Sequence, residues 1–440
     1  MKPRVLLFSL ILATSLLFSL SAYDWGGTVD NRTTPTFFFG SETATFLQED
    51  KLALWFDTSL GKTLTLLVQG SYTYTNDRPL LINLDLARLD GNFLLAGQRS
   101  SLFAFTAGRF PLADFSGRVL DASVDGVRGR WSNALLNATV AVAFTGLQLG
   151  LQLYPSESIE LAPVSPVSMS WADRQADSAL APPRLIELVE LHFPELFARQ
   201  DLRIVLLAQQ DLRSEDNLIQ EGEVVYLSGA GGRLHSAYLG LGIEGALPAG
   251  LYYDLFSYVE TGKTLSYISG VYEYAWMLSL LAGGSLRYYR EDWLSSRAEL
   301  RLLFASGDAD YIDQFIEGNT EGLATAFIPV SVSNLGLQFS PRLGNLVTIE
   351  VGYSLKPMDI LQTGIKGYIF LRPTQGLVSD QRVGDDSLYL GSEIDTATRL
   401  RLFSDLGAAL SLGIFLPGNA FGAAAGEPEF RGRLEISFSF

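Results

Sequence analysis

Between Phe430 and Phe440, apolar and polar side chains alternate along the chain. Phe430, Gly432, Leu434, Ile436, Phe438 and Phe440 occupy the even positions, and Arg431, Arg433, Glu435, Ser437 and Ser439 the odd ones. Successive side chains of a strand point to opposite faces, so this segment carries one greasy and one charged face. The same period recurs upstream. Leu52, Leu54 and Phe56 alternate with Lys51, Ala53, Trp55 and Asp57, and Leu64, Leu66, Val68, Gly70, Tyr72 and Tyr74 share a face opposite Thr65, Gln69, Ser71 and Thr73. Asn83 and Asp85 interleave with Ile82, Leu84 and Leu86. Further strands are expected over 101–110, 124–131, 136–147, 185–193, 201–210, 234–246, 250–260, 271–282, 284–290, 295–305, 328–340, 345–355, 363–372, 387–403 and 407–417. Leu388 to Leu402 keeps its register throughout and reads as one strand about 50 Å long, longer than an apolar membrane band, so its upper part is expected to project.

Sustained alternation over segments of roughly ten residues predicts an all-β, transmembrane antiparallel β-barrel of about 16–18 strands, with apolar side chains toward lipid and polar ones toward the lumen. Beyond residue 22 no apolar run is long enough for a membrane helix, which needs about 18 residues or more. Residues 1–22 read as a cleaved export signal: the basic start Met1 to Arg4, an apolar run from Val5 to about Leu20, and small residues at Ser21 and Ala22. Residues 23–440 then form the barrel, placed in the outer membrane of a diderm bacterium. A closing strand that ends on Phe440 has the form of the insertion signal read by the barrel-assembly machinery, and outer-membrane lipid is the expected surround.

The connections divide into tight turns, Ser404 to Gly407 and Ser340 to Gly344, and long polar stretches at 154–184, 211–233, 306–325 and 373–386. Barrels of this type have short periplasmic turns and long outer loops. Pro163, Pro166, Pro182 and Pro183 make 154–184 either a constriction loop folded inward or an ordinary outer loop. Asp308, Asp310, Asp313, Glu317 and Glu321 concentrate negative charge in 306–325. The net charge of -16 argues against a nucleic-acid partner, and the absence of cysteine removes disulfides and thiolate chemistry.

Arginine dominates the basic residues and recurs within strands: Arg128/Arg130, Arg297/Arg301 with Glu299 between them, Arg399/Arg401 and Arg431/Arg433. Leu300, Leu302, Leu400, Leu402, Leu434 and Ile436 fall on the opposite faces. A charge at the lipid midplane costs about 2–4 kcal/mol, so the arginines are expected to point inward. There they either steer anions, because guanidinium offers a fixed fork to carboxylate or phosphate, or pair with Glu299, Glu393, Asp395 and Glu435 to stiffen the wall. Both roles can coexist.

Catalytic signals are sparse. His192 and His235 are the only histidines, too few for a metal cluster, and no serine has a distinctive context. His192 reads as a lumen-facing residue beside Glu190. The stretch from Ser306 to Asp310 resembles a fragment of a calcium loop but lacks the glycine and distal glutamate of an EF-hand. No cofactor is expected, and no enzymatic activity.

Phe304-Ala-Ser-Gly-Asp308, Leu390-Gly-Ser-Glu-Ile-Asp395 and Phe415-Leu-Pro-Gly418, in this order, resemble the alginate-export type of outer-membrane porin. Ala107-Gly-Arg-Phe110 and Val124-Asp-Gly-Val-Arg128 are similar to that family's paired "GR" and "DGV" strands. The resemblance implies a large monomeric barrel whose arginine-lined lumen passes an acidic polysaccharide, with Arg128, Arg399, Arg401, Glu393 and Asp395 at matching strand positions. Together these readings give a porin-like channel for passive diffusion of small hydrophilic solutes, anions among them. Its selectivity would be set by Arg128, Arg130, Arg297, Glu299, Arg301, Glu393, Asp395, Arg399, Arg401, Arg431, Arg433 and Glu435. The competing classes are a surface adhesin or antigen with a blocked lumen, and a transporter of hydrophobic compounds in which Tyr23 to Gly40 forms a small plug.

Overall fold

A sheet with one apolar face in lipid cannot leave an open edge, because its unpaired N–H and C=O groups would have no water to meet; closure into a barrel removes the edge. The computed structural model does this. It describes residues 23–38, 44–76, 81–95, 101–147, 150–153, 159–162, 183–214, 219–222, 232–312, 315–331, 334–378, 386–424 and 427–440. The expected export signal at 1–22 lies outside the described residues.

The strands are β1 (Tyr23–Phe38), β2 (Ala44–Leu60), β3 (Leu64–Thr75), β4 (Leu81–Leu95), β5 (Ser101–Ala113), β6 (Asp121–Ser132), β7 (Asn137–Phe144), β8 (Gly150–Leu153), β9 (Ile159–Ala162), β10 (Arg184–Phe197) and β11 (Gln200–Asp211). They continue with β12 (His235–Leu247), β13 (Leu251–Ile268), β14 (Val271–Arg290), β15 (Ser296–Ala305), β16 (Tyr311–Ile312), β17 (Phe315–Asn319), β18 (Leu346–Met358), β19 (Leu361–Leu371), β20 (Tyr389–Arg401), β21 (Leu406–Pro417) and β22 (Glu429–Ser439). The wall is a closed antiparallel barrel of 18 strands. Two hairpins stand apart from it, since β7 pairs directly with β10 and β15 with β18. β8 and β9 pair with each other and extend the upper edge of β4, where Leu81 faces Gln152. Closure runs through β1 and β22, with Val29 opposite Phe438 and Thr33 opposite Leu434.

Tyr23 to Phe38 is therefore wall and not plug. Its mixed threonines and Pro35 hide the period that the other strands show. Residues 271–290 form one strand where two were expected. Gly283 and Gly284 look like a break in the sequence, but here they let the Phe256 and Leu255 side chains of β13 lie against the β14 backbone. β20 is continuous, as its register suggested, but at 13 residues it is shorter than β13 and β14, which span 18 and 20.

Turns of a few residues, such as 198–199, 359–360 and 402–405, gather at the rim that also holds Tyr23 and Phe440. The strand ends joined by the long connections lie at the other rim. Exposed Val127, Val142, Leu241, Leu302, Val351 and Ile394 belong to the outward apolar face.

The inside of the barrel is not empty. Phe110, Leu112, Val119, Leu120, Phe327, Ile328, Val330 and Leu343 belong to a buried cluster that also takes in wall residues Leu188, Tyr258 and Phe370. Two inward-folding loops contribute to it, 114–120 and the described parts of 306–345. Of residues 328–340, expected as a strand, 328–331 and 334–340 are described and belong to the second loop, with attachments on different walls at Glu260 and Glu393. Their apolar side chains meet other interior side chains instead of lipid, so an apolar run that reads as wall is loop core. Ser340 to Gly344, expected as a tight turn between strands, is the buried root of this loop. Of the expected 154–184 loop, only β9 and residues 183–184 are described.

Candidate functional site

The charged faces of β15, β18 and β19 meet in one network. Arg297 and Arg301 both hold Glu299, at 2.6 and 2.8 Å; Arg301 also reaches Glu350 at 3.1 Å, and Lys366 closes the other side of Glu350 at 2.7 Å. Spacing of two along β15 puts its three charges on one face, and β18 supplies the next carboxylate in register, with Arg301 opposite Glu350. Similar pairs bind Arg203 to Glu244, Arg287 to Asp254 and Arg88 to Asp90. Glu435 does not serve the arginines of its own strand. It binds Arg32 of β1 at 2.8 Å, across the closing seam. Partly exposed pairs of this kind each contribute only about 0.2–1 kcal/mol, so their main effect is to fix side-chain directions and to cancel local charge.

Glu393 and Asp395 depart from the expected pairing with arginine. Glu393 accepts the backbone N–H groups of Gln338 and Phe339 at 2.7 and 2.8 Å, and Asp395 accepts that of Leu337 at 3.0 Å. Arg431 donates to the Leu337 carbonyl at 3.0 Å. These residues anchor the lumen-crossing loop. Gly336 leaves room for this contact, since a Cβ at that position would lie 2.6 Å from a Glu393 carboxylate oxygen and the side chain would have to shift. Phe339 itself stacks on Phe415 with ring centres 4.6 Å apart and meets Phe370 edge-on at 4.9 Å.

The loop's other attachments lie on different walls. Ile328 donates its N–H to Glu260 at 2.9 Å and its carbonyl accepts from the Tyr238 hydroxyl at 2.6 Å. Ser331 meets the 114–120 loop, donating its N–H to the Val119 carbonyl at 3.0 Å while its Oγ accepts from the Asp121 N–H at 2.6 Å.

Among the described residues, Arg118, Arg128, Arg130, Arg399, Arg401 and Arg433 have no carboxylate at ion-pair distance. Arg128 instead donates to the Thr106 hydroxyl at 3.2 Å and lies over the Phe110 ring at 5.1 Å. Arg118 was not anticipated from the sequence. It stands in a short connection, and only the fold shows that this connection turns inward.

Three recesses follow one another along the interior. The first, about 240 Å³, has Arg118, Arg203, Arg287 and Arg301 around it. Arg301 also lines the second, about 310 Å³, together with Lys366 and Arg399. Gln362 and Arg399 carry over into the third, about 450 Å³, which reaches Arg401 near the short-turn rim.

The remaining candidates have local roles. His192 meets Asp201 at 2.9 Å and Asn137 at 3.3 Å, and the Nδ1 of His235 accepts the Asp211 N–H at 3.2 Å. Asp308 accepts the N–H groups of Asp310 and Thr325, both at 2.9 Å, which closes the loop root. Among the described residues no group of acidic side chains or histidines is arranged to hold a metal ion. The "GR" and "DGV" segments do pair, with Arg109 opposite Asp125 and an ion contact of 2.8 Å. That pair lies on the face opposite Arg128, and Arg109 also donates to the carbonyls of Leu84 and Leu147 at 2.9 and 3.0 Å. Phe440 exchanges two backbone hydrogen bonds with Gly27, at 3.0 and 3.1 Å, and so completes the seam.

No protein-family model matches the chain, and no curated protein matches it. Solved structures do. The crystal structure of Pseudomonas aeruginosa OccK2 (OpdF) in complex with glucuronate superposes with a TM-score of 0.54 at 14% identity, covering 96% of this chain and 98% of that one. Pseudomonas aeruginosa OccK11 (OpdR) gives 0.53 at 12%, covering 96% of each chain, and the outer membrane protein opdK of the same organism gives 0.54 at 11%, covering 96% and 99%. At such identities the likeness is one of fold: a closed outer-membrane-type barrel of the same size. The alginate-export family is not among these neighbours, so the resemblance read from short motifs stays at the level of the barrel.

Proposed function

We propose that the protein is an outer-membrane channel of porin type, through which small hydrophilic solutes, anions preferred, diffuse passively. The observation that carries this reading is a set of three interior recesses that share the lining residues Arg301, Gln362 and Arg399, and whose arginines include Arg118, Arg399 and Arg401, without a carboxylate partner among the described residues. The wall around it has an apolar outer face and a charged inner one, as a bilayer requires. Cations fixed along a narrow path raise the local concentration of anions and ease their transfer from site to site, and no covalent step is needed. A structural neighbour, OccK2, was crystallised with glucuronate, a small carboxylate, which agrees with this solute class. The alginate-export resemblance is a narrower form of the same reading. Residues 1–22 would direct export, and the barrel-assembly machinery would insert the strands into outer-membrane lipid.

Of the twelve selectivity candidates, Arg128, Arg130, Arg399, Arg401 and Arg433 best fit the role of free anion contacts. Arg297, Glu299 and Arg301 fit a stiffened, charge-balanced wall, while Glu393, Asp395 and Arg431 shape the path by holding the loop. The test is conductance of the refolded protein in planar bilayers, with reversal potential measured under a salt gradient. Discrete open steps with an anion-directed reversal potential are expected. Silence from a barrel whose folding is shown by heat-modifiable migration would move the reading to a surface-binding barrel.

A further inference from the structure

The loop between β5 and β6 is short, yet it is built more firmly than a passive connection needs. Its first residue, Asp114, gathers hydrogen bonds from the N–H groups of Ser116, Val119 and Leu120 at 2.9, 3.1 and 2.6 Å, and from the Tyr258 hydroxyl of β13 at 2.6 Å. Phe115 stacks on the Tyr258 ring with centres 5.5 Å apart. Gly242 of β12 leaves the space for Phe115, since any Cβ there would overlap its ring. Val119 and Leu120 are fully buried, and Ser331 of the lumen-crossing loop braces the arm from the other side. The arm thus reaches from the β5–β6 wall to β13 and is held at both ends.

Its one basic side chain is Arg118. This side chain lines the first recess together with Arg203, Arg287 and Arg301. The three wall arginines are each bound to a carboxylate: Arg203 to Glu244, Arg287 to Asp254, and Arg301 to Glu299 and Glu350. Arg118 feels Arg301, Glu350, Asp114 and Asp254 at a distance, but it is paired with none of them. A guanidinium already forked onto a carboxylate presents little net charge to a passing ion, while one without a carboxylate at contact distance presents more of it.

We propose that Arg118, carried into the lumen on the arm 114–120, is the specificity-determining cation of the channel, and that Asp114 and Tyr258 are positioning residues for it. The inference rests on the channel reading above and deepens it, by moving selectivity from the wall arginines to a single loop arginine. Anions entering from the long-loop side would meet Arg118 in the first recess before passing to Arg399 and Arg401.

The test uses the full barrel in planar bilayers with a potassium chloride gradient, scoring the chloride-to-potassium permeability ratio from the reversal potential. Arg118→Glu should lower the ratio by about tenfold, as expected for reversing a charge that lines the ion path. Arg118→Lys should keep it near the parent value, and Arg301→Gln should change it less than Arg118→Gln does. Tyr258→Phe, which removes one hydroxyl and no charge, should reduce the ratio part of the way and raise open-channel noise. Should Arg118→Glu fail to show heat-modifiable folding, the neutral Arg118→Gln carries the comparison. A conducting parent whose ratio is unmoved by either substitution overturns the assignment to Arg118 and leaves the channel reading standing. A parent that folds but never conducts overturns the channel reading, and this inference with it.

Discussion

Phe339 and Glu393 lie 54 residues apart in the chain and are joined by a hydrogen bond of 2.8 Å, backbone N–H to carboxylate. The same carboxylate takes the N–H of Gln338, so one wall residue holds two consecutive amides of the loop that crosses the lumen. Each such hydrogen bond contributes about 0.5–1.5 kcal/mol net, and two to one side chain, with a third from Leu337 to Asp395 beside it, make this a principal point of attachment for the loop.

Glu393→Ala should therefore release the 334–340 segment while leaving the barrel closed. The expected result is larger and noisier single-channel steps, with cleavage by a soluble protease appearing inside 326–345 and the heat-modifiable shift on a gel unchanged. Parent-like steps and protection would show that the loop does not depend on this contact.

Phe339→Ala attacks the same loop through packing. The half-buried ring sits among Phe370, Phe415 and Phe421, so its removal should cost less than the about 3–5 kcal/mol of a fully buried phenylalanine. A lower midpoint for loop protection against protease in urea is expected, with the midpoint for barrel unfolding less affected. Equal loss at both would mean that loop and wall unfold as one unit.

Arg301→Ala leaves Glu350 with Lys366 and Glu299 with Arg297. Because both carboxylates keep a partner, the expected loss is about 1 kcal/mol or less, read as a small shift in the urea midpoint of the refolded barrel. A loss of several kcal/mol would show that the network acts as a cooperative unit.

Leu302 lies on the outer face, half exposed at 50%, between inward Arg301 and Leu303. Leu302→Arg should cost about 2–4 kcal/mol if this position meets the bilayer midplane, and should cut the yield of folded barrel in lipid vesicles. The equivalent change at Phe403, in a short-rim turn, should have little effect on yield. Equal yields for both would argue against the assigned lipid face.

Much of the wall could be read directly from the chain. Alternation in β3, β20 and β22 is local, since it depends only on the residues of each strand, and it places Arg399, Arg401, Arg431 and Arg433 opposite leucine and isoleucine without reference to any partner. β1 was missed because its threonines and Pro35 blur the period. Residues 328–340 read as wall for the opposite reason: an apolar run looks the same whether it meets lipid or the inside of a barrel.

The sequence alone determined the barrel architecture and the shared face of the arginines within each strand, because period-two alternation is a property of neighbouring residues. Tertiary structure alone decided which charges remain unpaired. Glu393 and Asp395 are two residues from each other and six or fewer from Arg399, yet the fold gives them to Leu337, Gln338 and Phe339. Glu435 goes to Arg32 across the seam, and Arg118 is delivered to the lumen by a clasp with Tyr258, 144 residues from Asp114 in the chain. Such pairings depend on how loops pack after the barrel closes, and no local pattern encodes them.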